Sequence, residues 1–121
     1  MSNAYKIIVI YFLTLFFIVT AIVELAGQIK KDGIHVVQFT ASFNAHNEVN
    51  WLPELNECKA TTINIEEGDW QKKYKIAIVP TVIIFDDGEE INRFQADLSM
   101  ALAATKEEVQ EAINEIIMNK F

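Results

Sequence analysis

The stretch that decides the fold is Val36-Val37-Gln38-Phe39-Thr40-Ala41-Ser42-Phe43-Asn44-Ala45-His46-Asn47. Its first half belongs to an apolar, β-branched run over residues 34–41, which predicts a buried central strand. Its second half is a polar turn, after which a helix is predicted from Glu48 to Cys58 with a kink at Pro53. A strand-to-helix turn is where an α/β sheet usually presents its functional groups. The turn is therefore the first place to look for chemistry.

Length and charge limit what kind of protein this is. The chain has 121 residues, a formal net charge of −7 and no cluster of lysine and arginine. Such a length supports one domain. Binding to phosphates needs concentrated positive charge, so nucleic acid and anionic lipid head groups are not expected partners. The acidic balance instead predicts a solvated surface.

The cysteine and histidine content argues against disulfides and metal. Cys58 is the only cysteine, so no internal disulfide can form and the redox compartment stays open. His35 and His46 complete the set of soft ligands, and the spacing of the three residues matches no zinc pattern. We predict no metal site and no cofactor.

Residues 7–23 form the most apolar run of the chain. As a helix this run would extend roughly 25 Å, within the range of membrane-spanning lengths. Three interpretations stay open: a membrane anchor, a cleaved signal peptide, or a first strand (16–19) and an amphipathic helix (21–31) of the domain itself. The first two divide the chain into a hydrophobic segment, 1–26, and a domain, 27–121, and the anchor predicts a membrane-anchored protein with an extracytoplasmic domain. The second predicts secretion after cleavage, and the third allows a cytoplasmic domain.

The remaining elements follow from strand patterns, turn residues and caps. A hairpin is predicted at Asp86-Asp87-Gly88, and Thr105-x-x-Glu108 is a capping box that opens a helix. The predicted elements are strands at 61–65, 81–85 and 90–94 and helices at 70–74, capped by Asp69, and 105–119. The order β-α-β-α-β-β-α predicts an α/β protein with a mixed sheet and helices on its faces.

Over about residues 20–121, this order and its local residues resemble the thioredoxin superfamily. Residues 37–43 are similar to the strand that leads to the family's active site, and Ile78-Val79-Pro80-Thr81 to the loop that keeps a cis-proline. The hairpin at 81–89 and the helix at 105–118 complete the match. The resemblance implies a thioredoxin-like mixed β-sheet flanked by helices, with an N-terminal hydrophobic helix added.

The departures from this family decide the functional prediction. The family's Cys-x-x-Cys motif follows the aromatic residue at Phe43, and its buried proton-transfer aspartate falls on Gln38. The four motif positions are here Asn44, Ala45, His46 and Asn47. Thiol-disulfide exchange needs a thiolate, whereas an asparagine amide is not nucleophilic and Gln38 cannot ionise. We therefore predict no catalytic residue at these degenerate active-site positions, with His46 as a solvated turn residue and Asn44 or Asn47 as a helix cap.

The resemblance also suggests a binding role. In the family, backbone beside the conserved proline pairs with an extended peptide, which makes Val79, Pro80 and Thr81 candidates for peptide binding. The leading hypothesis is a membrane-tethered binding or scaffold module without dithiol chemistry, for a protein or peptide partner. Two alternatives stay open: an oxidoreductase that uses Cys58 with a partner's thiol, and a structural subunit of a membrane complex. Against the first, Cys58 extends the predicted apolar stripe of Val49, Leu52 and Leu55.

Overall fold

The computed structural model describes residues 32–121. Its elements are strands β1 (Ile34–Thr40), β2 (Lys59–Asn64), β3 (Thr81–Asp86) and β4 (Glu89–Gln95), helices α1 (Trp70–Lys73) and α2 (Lys106–Met118), and 3₁₀ segments Ser42–Asn47 and Leu52–Glu54. The apolar run 7–23 and the predicted helix 21–31 lie outside these residues. Among residues 32–121, no helix is both long and apolar enough to cross a membrane.

The strands form one mixed sheet in the order β2-β1-β3-β4. β1 pairs with β2 in parallel and with β3 antiparallel, and β3 pairs antiparallel with β4. All seven residues of β1 are buried, as expected for a strand with neighbours on both sides. The predicted mixed sheet is confirmed, and β3 begins directly after Pro80 as the sequence predicts.

The β3–β4 hairpin is also confirmed. Its two connecting residues, Asp87 and Gly88, have φ angles of 51° and 86°. Two positive φ angles are typical of the tight turn that matches the twist of paired strands. The hairpin fixes β3 in the interior and leaves β4 at the edge of the sheet.

Helix α2 covers one face of the sheet. Its buried face consists of Val109, Ala112, Ile113 and Ile116, and it belongs to a hydrophobic core that includes residues of β1 and β3. Thr105 caps the helix, because its Oγ1 accepts a hydrogen bond of 3.2 Å from the Glu108 amide. The predicted closing helix is therefore confirmed.

The predicted helix from Glu48 to Cys58 is wrong. After the 3₁₀ segment Ser42–Asn47 the chain is irregular, with one further 3₁₀ segment over Leu52–Glu54. The Val49 amide donates to Gln38 Oε1 at 2.8 Å, and the Val49 carbonyl accepts from Gln38 Nε2 at 3.2 Å. In a helix that began at Glu48, neither group would have a partner, because the Val49 amide would lie in the first turn and the Val49 carbonyl would face Pro53, which has no N–H. Gln38 supplies both partners from β1, and Pro53 lies in the short 3₁₀ segment instead of kinking a long helix.

The apolar residues of that segment nevertheless reach the core. Leu52 and Leu55 are buried in it, and Val49 and Cys58 pack against it. The apolar stripe was thus predicted correctly although the helix that was to carry it does not form. Helix α1 shows a smaller departure, since the Asp69 side chain makes no capping hydrogen bond there.

Candidate functional site

The loop before β3 is fixed from both sides. The peptide bond between Val79 and Pro80 is cis. Thr81 Oγ1 donates to the Ile78 carbonyl at 2.6 Å, and the Ala96 amide at the end of β4 donates to the Pro80 carbonyl at 3.1 Å. The loop is therefore held against the sheet by bonds that do not involve Val79.

Asn44 joins three parts of the chain. Its side chain is 3% exposed, and Nδ2 donates to the carbonyl of Val79 at 2.9 Å and to that of Met100 at 2.8 Å. Its Oδ1 accepts from Asn47 Nδ2 at 2.8 Å. The expected helix cap is wrong for Asn44 and Asn47, because the 3₁₀ segment has no side-chain cap. Instead, the Asn44 amide joins two segments. One is residues 44–47, at the positions of the family's Cys-x-x-Cys motif (the former motif), and the other is the loop 78–81 (the proline loop).

A turn over residues 97–100 holds the Met100 carbonyl in place. The Asp97 carboxylate accepts hydrogen bonds from the hydroxyl and the amide of Ser99, and the Met100 amide donates to the Asp97 carbonyl at 2.9 Å. The bond from the Ser99 hydroxyl, followed by that from its amide, lowers the pKa of Asp97. These bonds close the turn, with the Met100 carbonyl presented to Asn44.

Gln38 is separate from this network. It is 1% exposed, and besides its two bonds to Val49 it donates from Nε2 to Thr62 Oγ1 at 3.2 Å. Its amide is thus used to connect β1, β2 and the segment after the former motif. The residue is a structural clamp on backbone, and all its hydrogen-bonding groups have partners.

Ala45 and His46 contribute little to the site. Both are exposed, and His46 lies in the last turn of the 3₁₀ segment. Neither is among the groove-lining residues described next.

A groove of about 270 Å³ lies beside Val79. Phe43, 66% exposed, is one of its walls. Its lining residues are Ala41, Phe43, Ile65, Glu66, Gln71, Ile76, Ala77, Ile78, Val79 and Met100. Of the predicted peptide-binding residues, only Val79 lines the groove, whereas Pro80 and Thr81 are buried and absent from its lining.

Most of the groove was missed by reasoning from the sequence. Ile65 and Glu66 follow β2, Gln71 belongs to α1, and Met100 lies in a loop without a periodic pattern. Glu66 Oε1 accepts from the Ser42 amide at 2.8 Å, which ties this rim to the former motif. The one sequence feature that pointed to the groove was the apolar run 76–79. Such a run is typical of a strand, but here it forms a wall of the groove.

One backbone amide of the groove-lining residues, that of Val79, lacks a partner among residues 32–121. This amide has no hydrogen-bond acceptor there, although Val79 is only 2% exposed. Buried backbone amides are rarely left unpaired. The Val79 amide is therefore a donor that a bound molecule or water can satisfy.

The described residues offer no metal centre, since 32–121 contain no group of three or more histidine, cysteine or acidic side chains that could hold an ion. Cys58 is half-buried and packs against the core. Burial raises the pKa of its thiol, which reduces the thiolate fraction at neutral pH.

We therefore expect Cys58 to react with iodoacetamide several-fold more slowly at pH 7 than a free cysteine, and faster as pH rises. Burial limits access, and the raised pKa lowers the concentration of the reactive thiolate. Mass spectrometry of the folded chain, with the urea-unfolded chain as control, measures both rates. Equal rates would favour the alternative in which Cys58 is a reactive thiol.

The sheet order and the hairpin, with the proline loop facing a turn at the end of β1, define a thioredoxin-like fold. A mutant thioredoxin from Halobacterium salinarum is similar in structure, with a TM-score of 0.58 and 19% identity over 77% of this chain and 82% of that one. Fasciola hepatica thioredoxin gives a TM-score of 0.51 and 20% identity over 80% and 92%.

A third similar structure comes from work on thiol resolution in yeast mitochondrial 1-Cys peroxiredoxin by glutathione and thioredoxin systems. It gives a TM-score of 0.54 and 16% identity over 77% of this chain and 88% of that one. No protein-family model and no curated protein matches the chain in sequence. At these identities the likeness establishes the fold alone.

Proposed function

We propose that this domain binds an extended peptide in the groove beside Val79 and carries out no dithiol exchange. The observation that carries the proposal is the unpaired Val79 amide in an apolar groove with the exposed Phe43 ring as one wall. A peptide carbonyl would satisfy the amide, and apolar side chains would cover the ring. This is strand addition, in which backbone gives affinity and pockets give specificity.

The chemistry of the turn supports binding over redox activity. Similar solved structures include thioredoxins, but this chain has a single cysteine, Cys58, which is not among the groove-lining residues. The Asn44 side chain, at the first position of the former motif, is fully used in hydrogen bonds. Binding through backbone needs no thiol, so the groove can serve a partner without one.

Charge favours a particular kind of peptide. The chain carries a net charge of −7, and Glu66 stands among the otherwise mostly apolar lining residues. A peptide with apolar side chains between basic ones would complement both features. β-Branched residues would add a preference for the extended conformation. Pentapeptides of the form Lys-Val-X-Val-Lys are therefore suitable probes.

We further propose that residues 7–23 tether this domain to a membrane, with the domain extracytoplasmic. Support comes from the apolar run itself, which is long enough to span. Fractionation of cells that express the full chain tests the tether, and protease protection tests its side. Release of the chain by alkaline carbonate would overturn the tether, and a protected domain on the cytoplasmic side would overturn the topology.

Replacing Phe43 by alanine is expected to weaken binding of a fluorescein-labelled Lys-Val-Ala-Val-Lys peptide about tenfold, because exposed aromatic anchors often contribute 1–2 kcal/mol, roughly, to an interface. Fluorescence anisotropy with the full chain measures the affinity. Phe121→Ala is the matched control, since Phe121 is also an exposed phenylalanine but lies outside the groove. Equal weakening by both variants, or no binding to any peptide of the panel, would argue against this groove as the site.

A further inference from the structure

The two backbone groups of Val79 are in different states. A peptide residue directly opposite Val79 in a hydrogen-bonded antiparallel pair would accept from its amide and donate to its carbonyl. The amide has no acceptor within residues 32–121. The carbonyl, in contrast, already accepts from Asn44 Nδ2 at 2.9 Å. Asn44 thus supplies from within the chain the bond that a partner's N–H would otherwise make.

The Asn44 amide is also difficult to displace. One of its hydrogens is bonded to Val79 and the other to Met100, while its oxygen accepts from Asn47. Moving it aside would leave the Met100 carbonyl and the Asn47 amide without these partners, in a site where Asn44 is only 3% exposed. Leaving buried polar groups unpaired costs more than a new hydrogen bond returns. A bound peptide is therefore expected to leave Asn44 in place.

We propose that Asn44 is a specificity-determining residue. Because its Nδ2 already donates to the Val79 carbonyl, the groove selects peptides whose residue opposite Val79 has no backbone N–H. Among the natural residues this is proline. The inference rests on the proposed peptide binding and adds which peptides bind. An ordinary residue at that position would bury an N–H next to an occupied carbonyl, whereas proline has no donor to leave unpaired. The Val79 carbonyl has a second lone pair, but Val79 is only 2% exposed.

The test is an N-methyl scan of Lys-Val-Ala-Val-Lys against the full chain and two variants. In the wild-type chain, the position opposite Val79 should tolerate N-methylation, and proline there should bind a few-fold more tightly than alanine. In Asn44→Ala the Val79 carbonyl is free, and N-methylation at the same position should weaken binding about fivefold, the effect of roughly one net hydrogen bond. Asn47→Ala keeps both donors of Asn44 and should give the wild-type pattern.

Identical scans for the wild-type chain and Asn44→Ala, with peptide bound in both, would overturn this inference and leave the proposed peptide binding intact. The absence of binding to any chain would overturn both. A measurement on the wild-type chain alone does not depend on how the variant folds. In ¹⁵N-resolved NMR spectra, peptide should shift the Val79 amide resonance and leave the Asn44 side-chain NH₂ resonances in place. A large shift or loss of the Asn44 resonances would show that the peptide displaces the side chain, contrary to the proposal.

Discussion

Replacing Gln38 by leucine is expected to lower the free energy of unfolding by about 3 kcal/mol, because two partly buried backbone groups lose their partners. Leucine has a similar size, so little of the loss would come from a cavity. The change removes the acceptor of the Val49 amide and the donor to the Val49 carbonyl. Gln38 itself is only 1% exposed. Urea unfolding followed by tryptophan fluorescence measures the loss.

The chain contains a close control for this experiment. Gln110 makes the same two-point contact with Asn56, accepting from its amide at 2.8 Å and donating to its carbonyl at 3.2 Å. Those bonds are exposed to solvent, so water can replace them in Gln110→Leu. We expect a loss below about 1 kcal/mol there. Equal losses in the two variants would show that burial of the Gln38 clamp adds nothing.

The parts of the fold that depend on local sequence were predictable. β1 follows from its unbroken β-branched and apolar run, and the hairpin from Asp86-Asp87-Gly88, since few other residues adopt two positive φ angles in succession. Helix α2 follows from the Thr105 cap and a 3.6-residue apolar period. In each case, the residues that decide the element lie within the element or next to it.

The helix predicted over 48–58 failed because a distant residue decides that segment. Gln38 lies 11 positions before Val49 and takes both of its backbone groups. Local propensity favoured a helix, but a helix would leave both groups of Val49 without a partner, since Pro53 has no N–H, whereas the Gln38 amide satisfies both. The apolar positions Leu52 and Leu55 were still right, because burial depends on which residues are apolar as well as on the backbone that carries them.

The site, too, combines features that the sequence predicts with contacts that only distant residues decide. The resemblance placed Asn44 and Val79 in one region, but the bond between them joins residues 35 positions apart, and the bond to Met100 spans 56 positions. No local pattern predicts which amide will satisfy which carbonyl across such separations. Gln38 and Asn44 stand where the family resemblance implies an ionisable aspartate and a cysteine. Both bind backbone instead, so these positions hold together segments that are distant in the chain.

Replacing Asn44 by aspartate is expected to destabilise the protein by about 3 kcal/mol at neutral pH, although the two side chains have nearly the same shape. An ionised carboxylate is only an acceptor. It would face the carbonyl oxygens of Val79 and Met100, to which the amide now donates at 2.9 and 2.8 Å. Three groups that only accept would then share a buried site, with the desolvation of a charge added.

The loss in Asn44→Asp should depend on pH with a defined sign. Burial and the two carbonyls disfavour the ionised form, so the pKa of the introduced carboxyl is raised in the folded state above its value of about 3.9 in the unfolded chain. Below that unfolded value the neutral acid can still donate one hydrogen bond, and the deficit is smallest. The deficit in the free energy of unfolding grows as pH rises through the interval between the two pKa values and is complete above the folded one.

Asn114→Asp is the control, because exposed Asn114 only accepts, from Gln110 Nε2 at 3.2 Å, and a carboxylate can do the same. Urea unfolding from pH 4 to 8 should therefore give a loss of unfolding free energy that grows with pH for Asn44→Asp alone. A loss that does not change with pH would mean that the two donors of Asn44 are not what holds the proline loop to the former motif.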